Sequence, residues 1–89
     1  MITYLFKAPQ DNLYKIGKTK NLKNRTNVLK NSNPDLEYIC AVKGDFEKEL
    51  KLLLKPYHYK REFYKLDDKQ YQDLVEYFYF KYIENETKD

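Results

Sequence analysis

The sequence predicts an α/β fold of the α+β kind: a small, mainly antiparallel mixed sheet flanked by helices, in the order β-β-α-β-α-β-α. Three observations point to it. Two short runs of β-branched and aromatic residues, Ile2 to Lys7 and Leu13 to Thr19, are separated by a cluster of turn formers. Two middle segments place apolar residues at helical spacing between a cap and a stop. Near the C-terminus, Asp67 is followed three residues later by Gln70, the pattern of a capping box that opens a last helix.

Each element follows from local chemistry. The first strand, ITYLFK, closes at Ala8-Pro9-Gln10-Asp11-Asn12, and Leu13 to Thr19 returns beside it as an antiparallel hairpin. Asn21 caps a helix running to about Lys30, and Asn-Ser-Asn-Pro at 31–34 ends it. Leu36 to Lys43 is the third strand. Gly44-Asp45 starts the second helix, with Asp45 as its cap and Pro56 as its stop. A short strand covers Glu62 to Leu66, and the last helix spans 68–84. No repeat, low-complexity tract or linker interrupts the chain, so 1–89 reads as one domain with a core over 2–66 and an aromatic C-terminal helix.

Composition narrows the class. A chain of 89 residues supports a core able to fold alone but not a generous one. With 42% apolar and 35% charged residues it fits a globular protein and not a disordered one. Ten tyrosines and no tryptophan suit a small core whose boundary needs rings with a polar tip. No apolar run nears the ~20 residues that span a bilayer, and the N-terminus lacks a signal-peptide pattern. A lone Cys40 cannot form an internal disulfide. An intracellular protein, cytoplasmic or nuclear in a host, with no membrane partner is the expectation.

The net charge of +3 is small, but it is unevenly spread. Lys15, Lys18, Lys20, Lys23, Arg25 and Lys30 lie between Asp11 and Asp35 with no acid among them, whereas residues 67–89 hold seven acids against three lysines. Such a basic front can contact phosphate, with Lys15, Lys20, Lys23 and Lys30 as candidate nucleic-acid contacts.

Several residues break the patterns around them. Arg25 falls between Val28 and Leu29, inside the apolar arc that those two form with Leu22; it needs an anionic partner or water, or it rests its stem on the core and snorkels. Glu47 borders the arc of Phe46, Leu50, Leu53 and Leu54, and Glu49 lies on its other edge; the helix dipole also favours acids in a first turn. Alternation puts Lys15 and Gly17 on one face of the second strand and Tyr14, Ile16 and Lys18 on the other. A glycine inside a strand marks either a close approach by a ligand or another backbone, or a bulge. His58 has no second histidine or cysteine at ligand spacing, so it indicates no zinc site; it can serve as a general base near neutral pH but reads first as a surface loop histidine. In the last helix Tyr71, Leu74, Val75, Phe78 and Tyr82 form one stripe, and Tyr77, Phe80 and Ile83 lie outside it, as a surface for a homodimer or a protein partner.

With these residues collected, Ile2 to Leu66 resembles the GIY-YIG nuclease superfamily, most closely its compact phage- and virus-type branch, often described as DNA-binding. Ile2-Thr3-Tyr4 stands at the first motif and Tyr14-Lys15-Ile16-Gly17 at the second. The run from Gly17 through Lys18 to Arg25 matches the family's glycine, lysine and helix arginine. Glu47, in EKELKLLL, matches its metal-binding glutamate, and Glu62-Phe63-Tyr64 is similar to a Glu-Trp-Phe ending. The departures are specific. The first motif lacks its glycine, and Lys15 takes the second motif's tyrosine position, with Tyr14 displaced by one residue. Lys51 stands where the compact branch usually has a histidine, and the late asparagine of some members has no counterpart.

The resemblance implies metal-dependent hydrolysis of DNA phosphodiester bonds. Glu47 would hold one divalent ion, Mg2+ or Mn2+. Tyr4 and Tyr14, with Lys18, would position or deprotonate the attacking water, and Arg25 would stabilise charge building on the phosphate. The residues leave two other readings open: a non-catalytic nucleic-acid-binding module on the same fold, and a protein-interaction factor acting through its last helix.

Overall fold

A computed structural model of the chain describes residues 1–86; the last three positions of the expected domain, 87–89, lie outside the described residues. Strand β1 (Ile2–Lys7) and β2 (Leu13–Thr19) form the predicted hairpin, followed by helix α1 (Leu22–Ser32) and strand β3 (Glu37–Lys43). Helix α2 (Glu47–Leu53) leads through a 3-10 turn at Lys55–Tyr57 into β4 (His58–Lys60) and β5 (Phe63–Lys65), and α3 (Asp68–Glu86) closes the chain. The five strands lie in the order β3-β1-β2-β5-β4.

Two features differ from expectation. Every strand pair among the described residues is antiparallel, so the sheet is not mixed. There is also an additional edge strand, β4, because Arg61 adopts a left-handed conformation (φ 53°) that turns the chain straight back onto β5. That turn has no glycine to advertise it. No helix of the described residues is long and apolar enough to cross a membrane.

Strand alternation divides the core in two. Tyr4, Phe6 and Ala8 of the first hairpin pack with Leu29 of α1 and with Leu36, fringed by Leu13, Leu22, Ala41 and Phe63. On the other face, Leu5, Tyr14, Ile16, Val42 and Tyr64 pack against Leu50 and Leu54 of the α2 region and Leu74 and Phe78 of α3. Burying each large apolar side chain contributes about 1.5–3 kcal/mol, so the second face carries most of the cohesion.

The helix caps follow local sequence. The Asn21 side chain accepts the Asn24 N–H at 3.0 Å, and α1 runs to Ser32, where the Asn33 N–H returns to the Leu29 carbonyl at 2.8 Å. Asp67 and Gln70 complete the expected capping box, side chain to amide in both directions at 2.8 and 2.9 Å. The helical arcs are narrower than periodicity implies: Val28 and Leu53 are both exposed. Helix α2 begins at Glu47 with Phe46, not the expected Asp45, at its cap position and no side-chain cap there; the Asp45 carboxylate, one residue earlier, pairs with Lys18.

Candidate functional site

Tyr4 of β1 stands directly across the hairpin from Gly17 of β2. Its ring lies over the glycine so closely that a Cβ there would fall 2.5 Å from the ring Cζ, and nearer still to the hydroxyl. The β1–β2 register runs unbroken through this point, so Gly17 marks no bulge. It makes room for a buried tyrosine. At the end of that ring, the Tyr4 hydroxyl accepts the Arg25 Nε–H at 3.3 Å, so the arginine inside the α1 arc finds a protein partner. The hydrogen bond to Tyr4 is the largest influence raising the Arg25 pKa, with a smaller contribution from Glu62.

Lys15 lies on the same face, two residues before Gly17, and its side chain is only 12% exposed. An ammonium that deep needs an anion. The Glu62 carboxylate supplies it at 2.6 Å, and the Phe63 ring lies 5.2 Å beneath the Nζ. Glu62 is held there because its carbonyl accepts the Ile16 N–H at 3.2 Å, extending the β2–β5 pairing by one residue. Tyr4, Lys15, Arg25 and Glu62 therefore form one group on the α1 face: two cations, a hydroxyl and one carboxylate.

A second group collects on the other face. Lys18 Nζ pairs with Asp45 at 2.9 Å; that bond is the first cause holding the Asp45 carboxyl below its usual range and lifting the Lys18 pKa, to which Glu47 also adds. Glu47 is 15% exposed in the first turn of α2, with Lys51 at 3.4 Å one turn on. Burial pushes the Tyr64 hydroxyl up, while Lys51 opposes this and Glu47 and Glu62 add to it, so this tyrosine sits within electrostatic reach of both carboxylates. One buried hydroxyl aims the start of α2: Thr3 Oγ1 donates to the Gly44 carbonyl at 2.8 Å and accepts the Phe46 N–H at 2.9 Å. Gly44 itself has φ 122°, and a Cβ there would strike the Phe46 ring.

Tyr14 belongs to neither group. The one-residue offset from Lys15 turns it onto the α3 side, where it stacks on Tyr71 with centroids 4.7 Å apart. Burial first, then Tyr71 and Asp68, pushes its hydroxyl up, the opposite of what a base at neutral pH requires. Lys18 likewise points away from the Tyr4–Arg25 pair. Lys20, Lys23 and Lys30 are exposed along the start and outer side of α1, and Lys23 with Asn21, Asn24 and Asn27 lines a shallow polar hollow of about 230 Å3. Of the C-terminal trio, Phe80 and Ile83 are exposed, whereas Tyr77 is tucked edge-on against Phe46 beneath Lys81.

Neither the Lys15–Glu62 pair nor the Thr3 clamp was visible in the sequence, although a lysine on the face of Gly17 was the signal that an acid had to come from elsewhere. Among the described residues no group of three or more histidines, cysteines or carboxylates could hold a metal. Glu47 alone still meets the minimum for a hard ion that keeps several waters and leans on substrate phosphate. Its ion-pair partner, Lys51, is half exposed.

No curated protein and no solved structure matches this chain. The model of one family, described as the T5orf172 domain, matches residues 1–79. Spanning the whole sheet, α1, α2 and the larger part of α3, that match makes the chain a member of the T5orf172 domain family.

Proposed function

We propose that this protein is a small GIY-YIG-like endonuclease that binds DNA and hydrolyses its phosphodiester bonds with a divalent metal. Membership of the T5orf172 domain family is compatible with a nuclease or DNA-binding role. The observation that carries the reading is the Tyr4–Arg25 hydrogen bond over Gly17. It holds a guanidinium at the surface of the α1 face while committing, among the described residues, only its Nε–H, so its remaining N–H groups are available to a phosphate.

In this reading Arg25 stabilises the charge that accumulates on the phosphate, and Tyr4 fixes the arginine's position. Glu47 stands with Lys18 on the face opposite Arg25, so in this reading the phosphate is reached from both sides across the edge of β2 that β5 leaves open beyond Ile16. There Glu47 would hold Mg2+ or Mn2+, which when bound would draw charge from the phosphate and its attacking water. Lys18 keeps its proton through Asp45 and serves as a phosphate contact or water-positioning donor near Glu47. Lys15, Lys20, Lys23 and Lys30 contribute backbone attraction. We assign Tyr14 to the core.

The test is nicking of plasmid DNA with Mg2+ or Mn2+. Removal of a transition-state donor typically costs about 10²–10³ in rate, so Arg25→Ala should fall by that much and Glu47→Ala to background. A wild-type protein that cuts neither double- nor single-stranded DNA under any divalent metal removes the proposal.

A second reading, a DNA-binding module without catalysis, is favoured by the Glu47–Lys51 and Lys15–Glu62 pairs, which engage both carboxylates with lysines. It expects salt-sensitive binding, lost in the Lys20→Glu plus Lys23→Glu variant, with no cleavage.

A further inference from the structure

The sequence marked the basic front before and along α1, but another cationic site lies at the β4–β5 edge of the sheet. Between α2 and the β4–β5 hairpin is an open cleft of about 490 Å3 lined by Lys51, Lys55, His58, Arg61 and Tyr64. No acid lines it. Among the described residues Lys55 and Arg61 have no ion-pair partner, and Lys51 reaches only Glu47, at 3.4 Å. Three cations and an imidazole thus converge on one hollow in which the protein supplies no lining anion.

The hollow is held in shape. Arg61 takes its left-handed conformation at the hairpin tip, and its carbonyl accepts the His58 Nε2–H at 2.6 Å, locking the turn. The His58 ring then packs edge-on against Tyr64, with centroids 5.5 Å apart, and Tyr64 is anchored in the core. Pro56 stiffens the approach from α2. The lining is therefore set by backbone pairing, and only the ends of Lys51, Lys55 and Arg61 are free to adapt. Lys51 belongs both to this cleft and to the Glu47 pair, so an anion held here lies beside the carboxylate proposed to hold the metal.

We infer that the cleft between α2 and the β4–β5 hairpin is a phosphate subsite that grips the DNA backbone beside Glu47. Resting on the nucleic-acid reading above, it gives the strand a second anchor apart from the α1 lysines. Clustered cations around a fixed hollow suit a phosphodiester, which offers several strong acceptors to Lys and Arg donors.

The test measures binding of a fluorescently labelled duplex by the full chain in metal-free buffer across a series of chloride concentrations. The Lys55→Glu plus Arg61→Glu variant should bind about tenfold or more weaker near physiological salt, and its slope of log K against log salt should shrink by about two, one for each lost phosphate contact. The neutral pair Lys55→Gln plus Arg61→Asn, whose asparagine tolerates a left-handed turn, should shift the slope in the same direction with the fold undisturbed. Lys43→Glu plus Lys69→Glu, an equal charge change on β3 and α3, should cost less. The inference is overturned if both cleft variants keep the wild-type slope, or if the control weakens binding equally. It is also overturned if inorganic phosphate competes beyond chloride of equal ionic strength while the cleft variants bind duplex normally, which assigns the hollow to a free phosphate. Cleft-dependent binding in a protein that cuts no DNA sustains the subsite and removes only the nuclease reading.

Discussion

The two charged groups of this protein use the same residue types under different conditions. On the α1 face, Lys15 is almost fully enclosed, Tyr4 is fully buried, and Gly17 exists to let that ring lie flat. On the other face, the Lys18–Asp45 pair stands in solvent, with both side chains more than a third exposed. The enclosed group is part of the packing, so disturbing it changes the fold as well as any contact with phosphate. The open group can change partners at little cost, because water screens its charges. Rigid positioning thus belongs to the first group, and exchangeable contact to the second.

The largest effect should come from Gly17→Val. Its side chain must displace a buried ring, and overpacking of this kind costs about 1–3 kcal/mol, which for a domain of this size lowers the melting temperature by roughly 4–8 °C per kcal/mol. Thermal unfolding followed by circular dichroism checks the fold, and DNA binding should fall with it as Arg25 loses its anchor. An unchanged melting temperature would contradict the close approach of Tyr4.

Next comes Glu62→Gln, which leaves the Lys15 ammonium enclosed without its anion. Hydrogen bonds to charged groups are worth about 1.5–3 kcal/mol, and the partial exposure of Glu62 puts this one toward the lower end. The same change makes the face more positive, so duplex binding should tighten while stability drops. Measuring both on one variant separates this group from a simple surface patch, where the two would not move in opposite directions.

Thr3→Val should rank third. It keeps the shape but strips the Gly44 carbonyl and the Phe46 amide of their partner, at about 1–3 kcal/mol. Because the clamp aims α2, any metal-dependent cleavage should decline more than duplex affinity does. Equal losses in both would mean that Thr3 serves stability alone.

The smallest effect is expected at the open pair. Asp45→Asn should leave the melting temperature at neutral pH nearly unchanged. The sign of its pH dependence is fixed by the pKa directions. Asp45 is lowered in the fold, so its contribution is present above the ordinary aspartate range and disappears as pH falls through the lowered value. Lys18 is raised, so its contribution is present below the ordinary lysine range and is lost only as pH climbs past the raised one. Unfolding profiles of wild type and Asp45→Asn should therefore run parallel across neutral pH and converge only at acid and alkaline extremes.

Much of this molecule could be read before its structure. Asn21, Asp67 and Gln70 act within a few residues of themselves, so their caps needed no tertiary information. Strand alternation alone separated Tyr14 from Lys15. The misfit of Arg25 in its arc left a partner or a snorkelling stem open, and that of Gly17 in its strand a close approach or a bulge; the structure decided both for a contact. Periodicity overstated the cores of α1 and α2, since an apolar arc shows which side of a helix can be buried and not how far its neighbour extends, and Val28 and Leu53 were left outside.

The sequence by itself determined the order of all elements but β4, the caps of α1 and α3 and the faces on which charged residues stand, because each of these depends on neighbours a few residues apart. Only the tertiary structure decided who meets whom. Lys15 finds Glu62 and Thr3 clamps Phe46 across more than 40 residues, Lys18 finds Asp45 across 27, and a left-handed arginine at 61 folds an unannounced strand against β5. Such pairings depend on how the strands order themselves in the sheet, a property of the whole chain that no local pattern encodes.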